Sequence, residues 1–309
     1  MDQRDDLLKT YPMLGTTIEN HADYVEPDDY ARLLKPYNAR SVEDLALFTK
    51  FVDAVATTRE NNRAQFGKVL ELGCGSGRST QAFMDTADTE ELHLLDLSPR
   101  MLNRTQARYA ALGNVSYIES DTTTHLEGSD DQYDLIYSLW SFSHSVHQIL
   151  VSGDLELGKL RVKAAIRRMI VEMMKPGAGF FLIHVDSKSE EQTILFRQWA
   201  KLFPIFQNEE LQTPSKLIFD EVLGELGKEG VIQYSAEHVE MDGQEYSSFE
   251  ELLDIFLNFH LESQFNDSPS IENIIGEIRE YVEQFKQPDG TYVIRPGCFI
   301  YKVIKNNID

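Results

Sequence analysis

Seven consecutive residues, Glu71 to Gly77 (ELGCGSG), combine a carboxylate with glycines at alternate positions, Gly73, Gly75 and Gly77. Glycine permits unusual φ values and, lacking Cβ, lets a ligand approach the main chain. The spacing is GxGxG and differs from the GxGxxG of nicotinamide-binding turns. Glu71, two residues before the first glycine, is a natural partner for an ammonium group and would repel a pyrophosphate. Asp96 follows 19 residues after Gly77, where a carboxylate in a Rossmann-like sheet accepts hydrogen bonds from ribose hydroxyls. Asp121 ends a later strand-like run in ESD, a position suited to an adenine amino group. Each has a plainer reading, because a strand-end Asp often just caps the next helix. All three in order on successive strands would rarely coincide, so the joint functional reading is preferred.

The elements that must position these groups alternate along the chain. KVLEL, LHLLDL, VSYIESD, YDLIYSLW and FFLIHVD read as strands, and helical stretches separate them. A mostly parallel sheet covered by helices on both faces follows, an α/β Rossmann-like fold. The first 66 residues read as helical: Ser41 with Asp44 forms a capping-box pattern, and Leu45, Phe48, Val52 and Val55 recur at helical spacing. Beyond Asp186 come helices around 193–203 and 216–228, the strand-like VIQYSAEHVEM, two more helices and a last strand, GCFIYKVIK. The roughly 50 residues between the last two strands exceed an ordinary connection and are expected to fold as an accessory lobe. The expected division is a helical lid (1–66), a Rossmann-like core (67–240), a helical lobe (241–297) and a last core strand (298–309).

Composition narrows the partners. The 309 residues carry 29 Lys and Arg against 51 Asp and Glu, a formal charge of −22. Gripping phosphates needs cations, so nucleic acid and anionic membrane surfaces are disfavoured, and a neutral or cationic small molecule is the easier partner. Cys74 and Cys298 stand too far apart for a metal-site or disulfide framework, which suggests a reducing compartment and no metal. No apolar run approaches the roughly 20 residues of a membrane span, and the N-terminus lacks signal-peptide character. A soluble cytoplasmic protein is expected. Oligomeric state is left open.

With these motifs in place, the chain resembles the class I S-adenosylmethionine-dependent methyltransferases. VLELGCGSGRST, LLDLSPRML, YIESD, YDLIYSLWSFSH and MMKPGAGFFLIHVD carry the resemblance over about residues 67–186. It implies S-adenosyl-L-methionine as cofactor, with Glu71, Gly73 and Gly75 flanking its methionine part and Cys74 within that turn. Asp96 would hold the ribose, with Leu97 and Met101 near the adenine. Asp121 and Thr122 would meet the adenine edge, and Ser138 and Leu139 would close the site. Nucleic-acid methylation is disfavoured by the absence of an NPPY-like sequence after the fourth strand.

The flanks are similar, more weakly, to histamine N-methyltransferase and its relatives, through DYVEPDDYARLL, FRQWAKLF, SSFEELLDIFLNF and GTYVIRPGCFIYKVIK. By that likeness Tyr24 and Tyr30 sit on a lid, Glu43 near an amine-binding carboxylate, Trp199 near an aromatic wall and His144 near a pocket aromatic. The chain departs from those relatives where they present a glutamine and tyrosines and it has Trp140 and His144, and SVHQILVSGDLELGK is longer. An amine other than histamine is the implied acceptor. Methyl transfer in line depends chiefly on positioning, but an amine must first lose its proton. His144 and His147 are candidate bases because imidazole titrates near neutrality, with Glu43 as a candidate carboxylate and Tyr24, Tyr30, Trp140, His147 and Trp199 as acceptor-binding groups. Bland readings stand beside these: a solvated histidine, a first-turn acid offsetting a helix dipole, core tryptophans. Small-molecule O-methylation and cofactor binding without transfer are the alternatives.

Overall fold

A computed structural model describes residues 3–16, 26–28, 42–56, 58–60, 63–151, 153–207 and 212–307. Its elements run α1 (Gln3–Thr10), α2 (Val42–Val55), β1 (Thr58–Glu60), β2 (Arg63–Leu72), α3 (Arg78–Thr86), β3 (Ala87–Asp96), α4 (Pro99–Tyr109), β4 (Val115–Glu119), α5 (Thr122–Gly128) and β5 (Tyr133–Leu139). Then follow α6 (Phe142–Val151), α7 (Leu155–Arg168), β6 (Met174–Val185), α8 (Glu190–Leu202), α9 (Pro214–Lys228) and β7 (Ile232–Glu240). The last are β8 (Gln244–Tyr246), α10 (Phe249–Asp254), α11 (Ile271–Val282), β9 (Tyr292–Ile294) and β10 (Gly297–Lys305). Tyr24 and Tyr30 lie outside the described residues, as does the side chain of Glu43, whose backbone is in the first turn of α2.

Residues 43–186, 208–239 and 298–309 form one compact unit around the sheet. Strand order is β4-β3-β2-β5-β6-β10-β7, and β1 pairs antiparallel with β2 off that path. β2 is parallel to both β3 and β5, β3 to β4, and β5 to β6. Only a crossover connection can join parallel neighbours, and α3, α4 and α7 supply such crossovers. β10 inserts antiparallel against β6, with Cys298 opposite Val185 and Ile304 opposite Gly179. The chain moves outward from β2 to β4 and then returns to β5 on the other side of β2. The switch point of the sheet therefore lies between the C-terminal ends of β2 and β5, where open α/β sheets bind ligands.

Burial explains the strand sequences. β5 is buried along almost its whole length, so YDLIYSL has no polar face. On one side of the sheet, Phe48 of α2 lies 4.5 Å from Tyr137 and 5.4 Å from Phe181, and Phe51 lies 5.3 Å from Phe181. α2 is thus part of the sheet's hydrophobic core. The expectation that residues 1–66 are helical is corrected at 58–60 and 63–66, which are strand. Ala64 and Phe66 alternate inward there and β1 supplies the pairing partner.

The second unit draws on 1–42, 187–207 and 240–297. Its lobe is not wholly helical, because β8 and β9 pair antiparallel between Gln244–Tyr246 and Tyr292–Ile294. In α8, Gln198 and Lys201 reach Glu277 of α11 at 3.0 and 2.7 Å. A turn with π-helical hydrogen bonding, Ile255–His260, continues α10. Asn258 from that turn donates to the Met13 carbonyl at 3.1 Å, and Asn266 donates to that of Thr16 at 2.8 Å. Among the described residues no helix is long and apolar enough to cross a membrane, and no group of three or more His, Cys, Asp or Glu could hold a metal ion.

Candidate active site

At the switch point, β2 breaks into the glycine turn. Gly73 N and Cys74 N both donate to the Leu95 carbonyl, at 2.8 and 2.9 Å, which pins the turn across the end of β3. Gly73, Gly75 and Gly77 take φ of +76°, +52° and +85°, the left-handed region that L side chains avoid. Their surroundings differ. A Cβ on Gly73 would sit 1.8 Å from Ser141 Oγ, whereas one on Gly75 would meet nothing within 4 Å. Gly73 is required by packing, and Gly75 by its backbone conformation at an open face.

Asp96 clamps this turn. Its Oδ2 accepts from Gly75 N at 2.7 Å and its Oδ1 from Ser98 N at 2.9 Å. A carboxylate at the end of this strand is where a Rossmann-like sheet offers acceptors to ribose hydroxyls. Thr105 Oγ1 donates to the Gly75 carbonyl at 2.7 Å, which fixes the other side of that peptide. Leu97, next in the chain, is 38% exposed, while Met101 is buried in the first turn of α4. A polar clamp beside an open apolar side chain is chemically suited to a nucleoside. The Cys74 side chain is buried and burial pushes its thiol well above the usual range, so the residue contributes through its backbone.

Glu71 departs from its expected partner. The carboxyl is buried and accepts from Thr80 Oγ1 at 2.6 Å, from Tyr137 OH at 2.9 Å and from Ser79 Oγ. Burial raises its pKa to about 7, and the three hydroxyl donors pull the other way. Its partners are protein hydroxyls from α3 and β5 rather than a ligand ammonium, so it braces the start of α3 against the sheet. Ser138 is likewise turned inward, donating to the Leu72 carbonyl at 2.8 Å and accepting from Phe142 N at 3.2 Å. Leu139 is buried beside it. Asp121 N-caps α5 by accepting from Thr124 N at 2.9 Å, the plain reading noted above, and buried Thr122 accepts from Ser145 Oγ at 3.2 Å.

Three residues beyond the glycine motif complete the mouth. Asp44 on α2 is 2% exposed and takes both arms of Arg78, at 2.7 and 2.8 Å. Its Oδ2 also accepts from Trp140 Nε1 at 2.9 Å. Trp140 follows β5 with φ of +68°, a strained conformation for a bulky residue. Strain of this kind persists only where surroundings over-determine it, and here the indole bond and the 3.1 Å bond from Trp140 N to the Ile183 carbonyl do so. Sequence reading took Asp44 only as a capping partner and overlooked Arg78 and Ser141. A carboxylate in a helix's first turn looks the same whether it caps or pairs at a distance.

His144 and His147 lie on α6, the helix that follows β5. His144 is exposed in the first turn. His147 Nε2 is 2.8 Å from Ser215 Oγ of α9, and burial drives its imidazole well below the usual range. Trp199, in the second unit, stacks on Phe203 at 5.8 Å and meets Phe265 edge-on at the same distance.

Residues 69–152 match the family model described as methyltransferase domain. The chain is similar to a malonyl-[acyl-carrier protein] O-methyltransferase of Paenibacillus sp. (strain JDR-2), 23% identical over 114 residues, covering 36% of this chain and 41% of that protein. It is also similar to malonyl-[acyl-carrier protein] O-methyltransferase 1 of Ilyobacter polytropus, 30% identical over 74 residues, covering 24% and 27%. The chain thus spans less than half the length of these curated relatives. Among solved structures, the YcgJ protein of Bacillus subtilis aligns over 85% of this chain and 98% of its own, with 15% identity and a TM-score of 0.49.

Proposed function

Because the chain carries a class I S-adenosylmethionine-dependent methyltransferase domain, we propose that the protein methylates a small molecule, and that the acceptor is an amine nitrogen. The observation that carries the cofactor half of this reading is the Asp96 carboxylate, 2.7 Å from Gly75 N and beside a glycine whose missing Cβ leaves open space. S-adenosyl-L-methionine, when bound, supplies an activated methyl group on a sulfonium. Asp96 would hold the ribose hydroxyls, the backbone of Gly73 to Gly75 would line the methionine part, and Leu97 with Met101 would flank the adenine. Asp121 and Thr122 would border the adenine edge.

The amine half is supported by charge. A protein of net charge −22 raises the local concentration of cations and repels anions. Exposed His144, one turn past Trp140, is the candidate proton acceptor, and Glu43 the candidate ammonium partner. A malonyl group, as named in the two relatives, is an anion that this charge disfavours. Carboxyl O-methylation is therefore the alternative outcome of the test.

Two measurements test the reading. Purified protein, methyl-labelled S-adenosylmethionine and a panel of amines, phenols and a malonyl thioester should give label transfer to an amine and not to the thioester. Transfer to the thioester or a phenol would overturn the amine assignment. Transfer to nothing in the panel would count against catalysis. Calorimetry on Asp96→Ala should show S-adenosylhomocysteine binding weakened at least about tenfold, since hydrogen bonds to a charged group are worth about 1.5–3 kcal/mol each. Unchanged affinity would remove Asp96 from the site.

A further inference from the structure

Trp140 holds a backbone conformation that its own side chain makes costly. Successive side chains of a strand alternate, so a residue continuing β5 beyond Leu139 would share the face of Ser138, opposite Tyr137. α2 packs on the Tyr137 face, where Phe48 lies 4.5 Å from that ring. At φ of +68° the chain leaves β5 in the left-handed region and the indole comes round to α2, where Nε1 donates to Asp44 Oδ2 at 2.9 Å. Glycine would take this φ without strain. Strained residues that are retained cluster at ligand sites, where the side chain has a use.

Both ends of Trp140 are tied to the glycine turn. At the backbone end, the next residue, Ser141, lies so close to Gly73 that no Cβ fits between them. At the ring end, Asp44 Oδ2 also accepts from Arg78 Nη1 at 2.7 Å, and Arg78 directly follows Gly77. The half-buried indole is thereby bracketed against the glycine turn at the switch point of the sheet. Arg78 balances the Asp44 carboxylate, which leaves the electron-rich indole face as what this wall offers a cation.

We infer that Trp140 is a cofactor-binding residue whose indole face recognises the sulfonium of S-adenosylmethionine, and that Asp44 is the positioning residue that holds the ring there. The inference rests on the cofactor half of the reading above, in which Asp96 holds the ribose and Gly73 to Gly75 line the methionine part on either side of the sulfonium. It moves Trp140 from the acceptor, where sequence reading put it, to the cofactor. S-adenosylhomocysteine carries a neutral thioether in place of the sulfonium, so the ring discriminates the substrate form of the cofactor from the product.

The chain has two tryptophans, so in a Trp199→Phe protein fluorinated tryptophan enters at position 140 alone. Fluorine withdraws charge from the ring face and leaves the N–H in place. Calorimetry should show S-adenosylmethionine affinity falling with each fluorine, by at least about threefold at two fluorines, with S-adenosylhomocysteine affinity constant within about twofold. Constant affinities across the series, or equal losses for both ligands, would overturn the sulfonium assignment. This series needs no change at Asp44 and decides the ring's role even if Asp44→Ala does not fold.

Asp44→Ala should lower the ratio of the two affinities at least about threefold, and in a Trp140→Gly protein, where the ring is already gone, it should lower the ratio no further. An equal fall in both backgrounds would assign the effect to the charges of Asp44 and Arg78 and overturn the positioning role. Lost thermal stability with an unchanged ratio would mark Asp44 as a structural tie and overturn that role as well. A wild type that binds neither ligand would refute the cofactor reading and this inference with it. Binding with a ratio indifferent to ring and carboxylate would refute the inference alone.

Discussion

Glu71 and His184 are buried ionisable groups of opposite sign, and their linkage to pH can be separated by one substitution. Burial raises the Glu71 carboxyl from 4.5 to about 7. The folded state then binds more protons than the unfolded state between those values, so this residue's contribution to stability is present below about pH 4.5 and is lost as pH rises toward 7. At about 1.4 kcal/mol per unit, the loss is about 3 kcal/mol. His184 acts in the opposite sense, because burial lowers it from 6.5 to about 4 and stability rises with pH across that window. The two slopes overlap and offset, so a wild-type profile alone decides nothing. Glu71→Gln isolates the carboxyl: Gln is nearly isosteric and does not ionise. The Ser79, Thr80 and Tyr137 hydroxyls can turn to accept from its amide nitrogen as well as donate to its oxygen. Urea unfolding of both proteins from about pH 4.5 to 7.5 should show the wild type losing about 3 kcal/mol relative to the variant. A stability difference that stays constant over that range would refute the reasoning, because it would mean that the buried carboxyl ionises as it does in water.

Two further substitutions separate folding from binding at the mouth of the site. Gly75→Ala places a Cβ at φ +52° in open space, so the stability loss should be about 1–2 kcal/mol; S-adenosylhomocysteine affinity, read by calorimetry, should fall more steeply, and equal affinity would show that no ligand approaches that face. Asp44→Ala removes a buried carboxylate from between Arg78 and Trp140 and should cost about 3 kcal/mol in urea unfolding. Asp44→Asn, which can still accept the indole N–H, should cost less, and equal losses would mean that the Trp140 bond contributes nothing.

What the sequence by itself determined was local. Apolar runs ending in glycine or Asp identify β2, β3 and β6, and the spacing of Leu45, Phe48, Val52 and Val55 identifies the buried stripe of α2. These depend on neighbours within a few residues, where the periods of strand and helix are visible. The α/β class follows from the same short-range order, and the methyltransferase reading rests on the resemblance of the motifs that lie within it. Element ends were less legible. β3 begins at Ala87, ahead of the apolar LHLLDL, and β6 begins at Met174 and runs through Pro176, because cross-strand pairing extends strands past their apolar cores.

The tertiary structure alone decided which groups meet. Asp44 and Arg78 are 34 positions apart, Glu71 and Tyr137 are 66, and His147 and Ser215 are 68. Nothing in the local pattern of either partner announces the other. Glu71 looks in sequence like a ligand carboxylate, yet three hydroxyls from two other elements surround it, because β5 returns beside β2 and brings Tyr137 to its side. Strand order, a global property set by how the whole chain buries its apolar faces, converts a list of polar residues into partners.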